Sequence, residues 1–255
     1  MALPYAAFFD LDGTLAMGNQ PPLPCDVDAI RAFRAAGNYV FLCTGRSVGY
    51  LYDAVLDIGF DGIVSGGGAH VTLGDTILYR SFVTPEQLDP IMRCFETADQ
   101  VLILETETQM IQLVSFDDRS LRHDYPIIRT ADEWYAHYSD EVVSKLTIYP
   151  APMTPDTNAL VQSHLALVEH PTYYEAVPKG CSKATGIAHV IEALGIPRER
   201  VLAFGDSAND ADMLRYAGIA VAMGNATDDV KALADFVTTP CDEGGVAYAF
   251  AHLNL

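Results

Sequence analysis

Short apolar runs alternate with amphipathic stretches at the start of the chain. The run YAAFFD, which ends at Asp10, and the run NYVFLC, which ends at Cys43, are continuous and bounded by turn-forming residues, as is typical of buried strands. Between them, apolar residues recur at helical spacing over residues 25–36. A second helix is predicted over residues 47–56 and a third strand in FDGIVSGGGAH. Strands that alternate with helices predict parallel βαβ units.

The middle of the chain loses this alternation. VTLGDTILYR predicts a hairpin that turns at Gly74 and Asp75. After it, TPEQLDPIMRCFETA and TNALVQSHLA predict helices, whereas VLILETETQMIQLVS, VVSKLTIYP and TYYEAV predict strands. This order of helices and strands does not fit the βαβ units of a parallel sheet. It therefore predicts an inserted α+β domain over residues 82–177.

The alternation returns after Gly180. SKATGIAHVIEALGI, NDADMLRYAG and ATDDVKALAD predict helices, and RVLAFGD, IAVAMGN and FVTT predict strands. The predicted fold class is therefore α/β, with a Rossmann-like parallel sheet. Its core would consist of residues 1–81 and 178–255, on either side of the insertion.

Composition and charge exclude several classes of protein. Half of the 255 residues are apolar and 19% are charged, which indicates a globular chain rather than a disordered one. The net charge of -19 disfavours nucleic acid or an anionic membrane as a partner. No basic leader and no apolar stretch of about 20 residues is visible, so secretion and membrane spanning are not expected. A reducing cytoplasm is predicted, because the five cysteines are scattered without a C-x-x-C pair: Cys25, Cys43, Cys94, Cys181 and Cys241.

Polar residues suited to catalysis lie directly after predicted core strands, where open parallel sheets form their sites. Each alone also fits a structural role as a turn residue, a solvated lysine or an acidic helix start. Together they would bring several carboxylates into one small volume, which requires a compensating cation, and Mg²⁺ prefers such oxygen ligands. The residues are Asp10, Asp12, Thr44, Lys183, Asp206, Asn209 and Asp210.

Four motifs in a fixed order carry a family resemblance. They are DLDGTL, CTGR, VPKGCSK and GDSANDADML. The sequence resembles the haloacid dehalogenase superfamily, specifically the Cof-type phosphatases with a C2 cap of the C2B kind, over essentially its whole length. It departs from the pattern at VSGGGAH, where relatives often have an Asn-Gly-Ala turn, and at Ala184, where glycine is frequent.

The resemblance implies a Mg²⁺-dependent phosphatase that acts on small phosphorylated metabolites, with sugar phosphates as the expected class. Asp10 would attack phosphorus, and Asp12 would act as general acid and then base. Asp10, the backbone carbonyl of Asp12, and Asp206 would bind Mg²⁺, supported by Asp210. The substrate would be bound by Thr44, Gly45, Arg46, Lys183 and Asn209. Because the net charge of -19 repels an anionic substrate at long range, we expect weak substrate affinity and little electrostatic steering of the substrate.

Several alternatives remain open. Asp12 favours transfer to water, but a sugar phosphomutase of the same superfamily would share the cap. A phosphoacceptor module would not need the insertion, and an inactive interaction protein would not need every motif residue. SGGGA fits neither G-x-G-x-x-G nor a Walker A pattern. The protein is expected to be a monomer or a weak homodimer.

The inserted domain offers two candidate specificity features. Its one cluster of basic residues could contact a sugar hydroxyl or a second phosphate, although such residues more often balance neighbouring acids on the surface. An aromatic group in the same domain could stack on a sugar, although such residues more often pack inside a domain. The basic residues are Arg119, Arg122, His123 and Arg129, and the aromatic ones are Trp134, Tyr135 and Tyr138.

Overall fold

The structure is a computed structural model, which describes residues 3–116 and 124–254. In chain order, the helices and strands are β1 (Ala6–Phe9), α1 (Pro24–Ala35), β2 (Tyr39–Cys43), α2 (Asp53–Leu56), β3 (Gly62–Ser65), β4 (His70–Leu73), β5 (Thr76–Arg80), α3 (Pro85–Phe95), β6 (Val101–Thr106), β7 (Met110–Leu113), β8 (Ile127–Ile128), α4 (Ala131–His137), β9 (Val143–Tyr149), α5 (Pro155–His164), β10 (Leu165–Glu169), β11 (Tyr174–Pro178), α6 (Lys183–Leu194), β12 (Val201–Gly205), α7 (Ala211–Tyr216), β13 (Ile219–Ala222), α8 (Asp228–Lys231), β14 (Phe236–Val237) and α9 (Gly245–Leu253).

The chain divides into two compact units. The first, called the core unit, contains Met1–Gly45, Leu51–Arg80 and Ser182–Leu255, and the second, called the inserted unit, contains Arg46–Tyr50 and Ser81–Cys181. These limits differ from the predicted ones in three places, the smallest being Ser81, which falls in the inserted unit. Residues 178–181 fall in the inserted unit because Pro178 is still paired in β11. Residues 46–50 fall there as well, and Ser47 donates a hydrogen bond to Glu105 at 3.3 Å.

The core unit is built on an eight-stranded sheet in the order β14-β13-β12-β1-β2-β3-β4-β5. The strands from β14 to β3 are parallel, and the hairpin β4-β5 continues the sheet antiparallel to β3. Apolar clusters lie on both faces: Ala7 and Phe9 of β1 belong to one, and Ala6 and Phe8 belong to the other. A strand that is buried on both faces is continuously apolar, as in YAAFF. The predicted α/β class with a parallel sheet is confirmed.

The inserted unit contains a six-stranded sheet in the order β10-β11-β9-β6-β7-β8. Alternate residues of β6 and β9 pack with the apolar residues of α3, α4 and α5, among them Leu102, Leu104 and Leu146. Residues of the opposite parity include a buried ionic cluster, in which Lys145 lies 3.2 Å from Glu105 and 2.6 Å from Glu175. The alternation of β-strand side chains therefore separates an apolar face from a partly charged one.

Some predicted elements differ from the structure. The helix predicted over residues 47–56 is wrong: a short 3₁₀ turn at Val48–Tyr50 and the helix α2 are separated by extended backbone at Tyr52. The two halves belong to different units. The prediction also missed β8, β10, α4 and α9.

Two further expectations can be compared with the structure directly. Among the described residues, no helix combines the length and the apolar character needed to cross a bilayer. All five cysteines lie within the described ranges and are free thiols.

Candidate active site

The central strands bring the predicted residues to one edge of the core sheet. β1 lies between β12 and β2, with Phe9 opposite both Phe204 and Leu42. Asp10 directly follows β1, Asp206 directly follows β12 and Thr44 directly follows β2, so all three lie at the same edge of the sheet. The amide of Asp10 still donates to Phe204 O at 3.0 Å, which fixes the backbone of Asp10 to the sheet.

Lys183 is the first residue of α6, and its ammonium lies between two carboxylates. Lys183 Nζ donates to Asp10 Oδ1 at 2.6 Å and to Asp210 Oδ1 at 2.5 Å. All three side chains are buried. Ser182 caps the helix reciprocally with Thr185, so the backbone that carries the lysine is held at its first turn.

A glycine-rich loop allows α6 to approach the sheet. A Cβ atom at Gly68, where φ is +92°, would lie 2.0 Å from Ser182 O. Within α6, a Cβ atom at Gly186 would lie 2.4 Å from Val64 Cγ1. SGGGA is therefore a packing element that lets the start of α6, and with it Lys183, reach the carboxyl end of β1.

Asp210 uses both carboxylate oxygens inside the protein. Its Oδ1 accepts from Lys183, and its Oδ2 accepts from the amides of Asp206 and Ser207, each at 3.0 Å. Gly205 provides the space, because a Cβ atom there would lie 2.5 Å from Asp210 Cβ. Asp210 thus holds both the loop after β12 and the lysine in place.

Asp206 is in close contact with the loop that follows β1. Thr14 Oγ1 donates to Asp206 Oδ1 at 3.2 Å. At Gly13, where φ is +87°, a Cβ atom would lie 2.3 Å from Asp206 Oδ2. Only glycine fits both this conformation and this contact. The sequence DLDGT therefore places its backbone directly against the Asp206 carboxylate.

The electrostatics of the cluster follow from three carboxylates around one ammonium. Burial, followed by the charge of Asp210, raises the pKa of Asp10 well above its usual range, although Lys183 opposes this. Burial and the charge of Asp210 also raise the pKa of Asp206 to about 7. Burial alone would lower the pKa of Lys183, but the charges of Asp10 and Asp210 raise it overall. The site has an excess of negative charge.

The donor set fits a hard divalent cation. Asp10, Asp206 and Asp210 each place one carboxylate oxygen within 4.8 Å of the others. Oxygen-rich sites of this kind suit Mg²⁺, and a dication would relieve the repulsion that raises the two carboxyl pKa values. Because both oxygens of Asp210 are engaged, Asp10 and Asp206 are the carboxylates available to such an ion.

A family model for haloacid dehalogenase-like hydrolases matches residues 7–250. The chain belongs to this family. Its motifs therefore predicted the family correctly.

Similar proteins extend over the whole chain. The Bacillus subtilis protein YkrA is 28% identical over 254 residues, which covers 97% of each chain. The 5-amino-6-(5-phospho-D-ribitylamino)uracil phosphatase YitU of the same organism is 27% identical over 262 residues, covering 96% of this chain and 95% of YitU. Among solved structures, the subclass IIB sugar phosphatase BT4131 of the haloacid dehalogenase superfamily is 28% identical, with a TM-score of 0.81 and coverage of 98% and 99%. These similarities confirm the prediction of a phosphatase of this family.

Within this haloacid dehalogenase-like site, the remaining predicted residues are placed as follows. Asp12 is exposed, one residue beyond Leu11. Thr44 is buried, and its backbone bonds to Val64 O and Gly67 N at 2.8 and 3.1 Å. Asn209 accepts from Ser207 Oγ at 2.6 Å.

Arg46 is the predicted substrate residue that falls in the inserted unit. Its guanidinium lies over the ring of Tyr50, with 4.9 Å between Cζ and the ring centroid. Its role in binding substrate stays a prediction, as does that of Gly45.

Four of the seven candidate specificity residues of the inserted unit lie within the described ranges. Arg119, Arg122 and His123 lie outside the described residues. Arg129 donates to the carbonyls of Val114 and Phe116 at 3.2 and 2.7 Å, and so supports the adjacent loop. Trp134 is buried in the apolar cluster, with Tyr138 packed against it. Tyr135 is partly exposed on α4.

Three residues that were not predicted to belong to the site contact its backbone or carboxylates. Thr14 donates to Asp206, Asn225 donates to Gly13 O, and Asp212 accepts from the amide of Ala184, next to Lys183. Asn225 is the last residue of the predicted strand IAVAMGN, so the rule that selected Asp10 and Thr44 could also have found it. Thr14 lies in the motif DLDGTL and Asp212 in the motif GDSANDADML, but neither residue carries a distinctive signal of its own.

Proposed function

We propose that the protein is a Mg²⁺-dependent phosphatase that hydrolyses phosphate monoesters of small metabolites through an aspartyl phosphate on Asp10. The observation that carries this proposal is the buried Asp10 carboxylate, held by the Lys183 ammonium at the carboxyl edge of the sheet beside Asp206. A fixed carboxylate next to a fixed cation suits nucleophilic attack on an anionic phosphoryl group.

The proposed reaction has two steps. An oxygen of Asp10 bonds to phosphorus while the ester P–O bond breaks, and the leaving alcohol takes a proton from Asp12. Water then attacks the same phosphorus, gives its proton to Asp12, and releases inorganic phosphate with the Asp10 carboxylate restored. The exposure of Asp12, in contrast with the burial of Asp10, supports this division of roles.

The phosphoryl group would be bound by groups of opposite charge or by hydrogen-bond donors. Lys183 and the Thr44 hydroxyl would contact its oxygens, helped by backbone amides near Gly45 and by Asn209, and Arg46 is a further candidate. Mg²⁺, when bound by Asp10, the Asp12 carbonyl and Asp206, would supply positive charge to the transferring group. Asp210 would keep Lys183 and the Asp206 backbone in place.

Sugar and sugar-alcohol phosphates are the substrate class that we propose. The names of two relatives support it: one acts on a phosphoribitylamino compound, and the other is a sugar phosphatase. The compartment that we propose, a reducing cytoplasm, is supported by the free cysteines. We propose no nucleic-acid partner, because the chain carries a charge of -19.

The test is phosphate release from a panel of sugar phosphates, phosphorylated sugar alcohols and nucleotides, with and without Mg²⁺. We expect metal-dependent release from wild-type protein and none from Asp10→Asn, which keeps the shape of the side chain but loses the nucleophile. Isomerised sugar phosphate without phosphate release would indicate a phosphomutase instead. A phosphorylated Asp10 that persists for minutes to hours would indicate a phosphoacceptor.

A further inference from the structure

Asn225 links two segments of backbone at the edge of the candidate active site. It lies after β13, in the sequence MGNA. Its Nδ2 donates to Gly13 O at 2.8 Å, and its Oδ1 accepts from the amide of Cys241 at 2.8 Å. An asparagine amide can satisfy a carbonyl and an N–H group at once, which no carboxylate or alkyl side chain can do.

The carbonyl that Asn225 binds belongs to the peptide between Gly13 and Thr14. At the other end of this peptide, Thr14 Oγ1 donates to Asp206 Oδ1 at 3.2 Å. Gly13 itself lies against Asp206, where a Cβ atom would be 2.3 Å from Oδ2. One peptide therefore connects Asn225 to the Asp206 carboxylate. The residue before it, Asp12, would supply the backbone carbonyl for the metal.

We propose that Asn225 is a positioning residue, which holds the Asp12–Thr14 loop against Asp206 in the arrangement that a divalent cation needs. The inference rests on the proposed function, because it concerns the same metal site. Asn225 touches neither Asp206 nor Asp10 through a hydrogen bond of its own, so it acts through the loop. Its loss should loosen one wall of the site while the buried pair of Lys183 and Asp10 stays in place.

The chain contains a matched control for this role. Asn38, near the start of β2, also bridges two backbone segments: its Oδ1 accepts from Tyr5 N at 2.9 Å, and its Nδ2 donates to Phe33 O at 3.1 Å. It lies at the opposite end of β2 from Thr44. A residue that merely ties segments together should behave like Asn38. A positioning residue should also affect the metal.

Asn225→Asp distinguishes the effect of losing the hydrogen bond to the loop from the effect of adding a negative charge near the metal site. The substitution keeps the acceptor for Cys241 N but turns a second oxygen towards Gly13 O, so the loop loses its donor. An added negative charge acting alone would tighten the binding of a dication. We therefore expect Asn225→Asp to bind Mn²⁺ more weakly than wild type, in the direction opposite to the charge effect.

The experiment measures Mn²⁺ binding to the substrate-free proteins by calorimetry and by electron paramagnetic resonance, with urea unfolding of each variant in parallel. We expect Asn225→Ala and Asn225→Asp to weaken Mn²⁺ binding by about tenfold, the size expected for losing one hydrogen bond. Asn38→Ala should bind Mn²⁺ within about twofold of wild type, even if its urea-unfolding midpoint falls as far as the midpoints of the Asn225 variants.

The outcomes separate this inference from the proposed function. If Asn225→Ala binds Mn²⁺ like wild type, if Asn225→Asp binds it more tightly, or if Asn38→Ala weakens it equally, then Asn225 is not a positioning residue. If wild-type protein binds no Mn²⁺, the proposed metal-dependent function fails. For the active enzyme, we expect the apparent Mg²⁺ constant to rise in Asn225→Ala, with KM for substrate at saturating Mg²⁺ unchanged.

Discussion

Lys183 donates a hydrogen bond to Asp10 at 2.6 Å, although 173 residues separate them in the chain. The pair can form only when the two parts of the core unit, which flank the insertion, have come together. Both groups are buried, and Asp210 accepts from the same ammonium. The ionic group at the candidate site is therefore also a long-range link within the fold.

Lys183→Met tests the energetic role of this link. Removing one member of a buried ion pair costs about 3–5 kcal/mol, so we expect a loss of that order in the free energy of unfolding at neutral to alkaline pH. Without the ammonium, Asp10 would have a pKa further above its ordinary value of 3.8. When folding raises the pKa of a carboxyl, the folded protein becomes less stable as pH rises and the carboxyl ionises. The stability deficit of Lys183→Met should therefore be larger at alkaline than at acidic pH.

The measurement for Lys183→Met is urea unfolding with chelator present, at one acidic and one alkaline pH. Lys179→Met is the control, because that lysine is exposed and donates only to the carbonyl of Ser163 in the described structure. A deficit in Lys183→Met that does not change with pH would contradict the explanation.

Gly68→Ala tests whether the glycine-rich loop is needed to place α6. The new Cβ atom would have to displace Ser182 O, from which it would otherwise be 2.0 Å away. Gly74→Ala is matched, because Gly74 also has a positive φ but nothing lies within 4 Å of the added atom. We expect about 1 kcal/mol of destabilisation for Gly74→Ala, from backbone strain alone, and more than about 2 kcal/mol for Gly68→Ala.

The rate of phosphate release should also differ between the two glycine variants. Because α6 begins with Lys183, phosphate release should fall strongly in Gly68→Ala and remain near wild type in Gly74→Ala. Equal losses of stability and activity in the two variants would show that the close approach of Gly68 to Ser182 does not matter.

Much of the core unit was predictable because its strands are short apolar runs that are buried on both faces. β1, β2, β12 and β13 follow this pattern, and the polar residues directly after them include most of the candidate site. Local sequence was sufficient there because parallel strands end at one edge.

Elements that depend on distant partners were missed. Helix α9 has the sequence GVAYAFAHL, which is too uniformly apolar to show helical periodicity, and the amide of Ala247 in its first turn is satisfied by Asp26, 221 residues away. Strand β10 begins at Leu165, directly where α5 ends, and is defined by its pairing with β11. Neither partner is visible in the local sequence.

Glu175→Gln tests the ionic cluster of the inserted unit. The burial of Glu175 opposes ionisation, but Lys145 at 2.6 Å and His170 at 3.2 Å lower its pKa to about 2. A carboxyl whose pKa is lowered by folding stabilises the protein above its unfolded pKa, and this contribution is lost as pH falls. We expect the advantage of wild type over Glu175→Gln, a few kcal/mol near neutral pH, to shrink between about pH 5 and about pH 3.

Urea unfolding of wild type and Glu175→Gln across this pH range measures the effect. Glu169→Gln serves as the control, since that carboxylate is exposed on the adjacent strand β10. An advantage of wild type that grows towards acidic pH would reverse the assigned sign.

The dependence of kcat/KM on salt tests the proposed phosphatase's electrostatics. The chain carries a net charge of -19, which repels an anionic substrate at long range. Raising the ionic strength from about 0.01 to about 0.15 M shortens the Debye length from about 30 to about 8 Å, which screens this repulsion. We expect kcat/KM at saturating Mg²⁺ to stay constant or rise slightly. A steep fall would mean that a local positive field attracts the substrate over long distances.

Asp26→Asn tests a buried carboxyl in the core unit, away from the metal ligands in sequence. Asp26 Oδ1 accepts from Ala247 N at 2.7 Å, but Oδ2 has no hydrogen-bond partner in the part of the chain that the structure describes. Burial raises the pKa of Asp26 above its ordinary value of 3.8, with the nearby backbone amides of Ala247 and Val246 opposing the shift. The protonated form is therefore favoured by folding, and ionisation at higher pH costs stability.

Asn keeps the acceptor for Ala247 and cannot ionise, so the difference between the two proteins isolates this cost. We expect the stability of wild type, relative to Asp26→Asn, to fall by at most about 1.4 kcal/mol per pH unit as pH rises from 3.8 to the folded pKa, and then to level off. Asp28→Asn, which changes an exposed position in the same helix, is the control for this urea titration. If the free energy of unfolding of wild type increases relative to that of Asp26→Asn as pH rises, then folding stabilises the carboxylate. That result would contradict the explanation based on the unpartnered Oδ2.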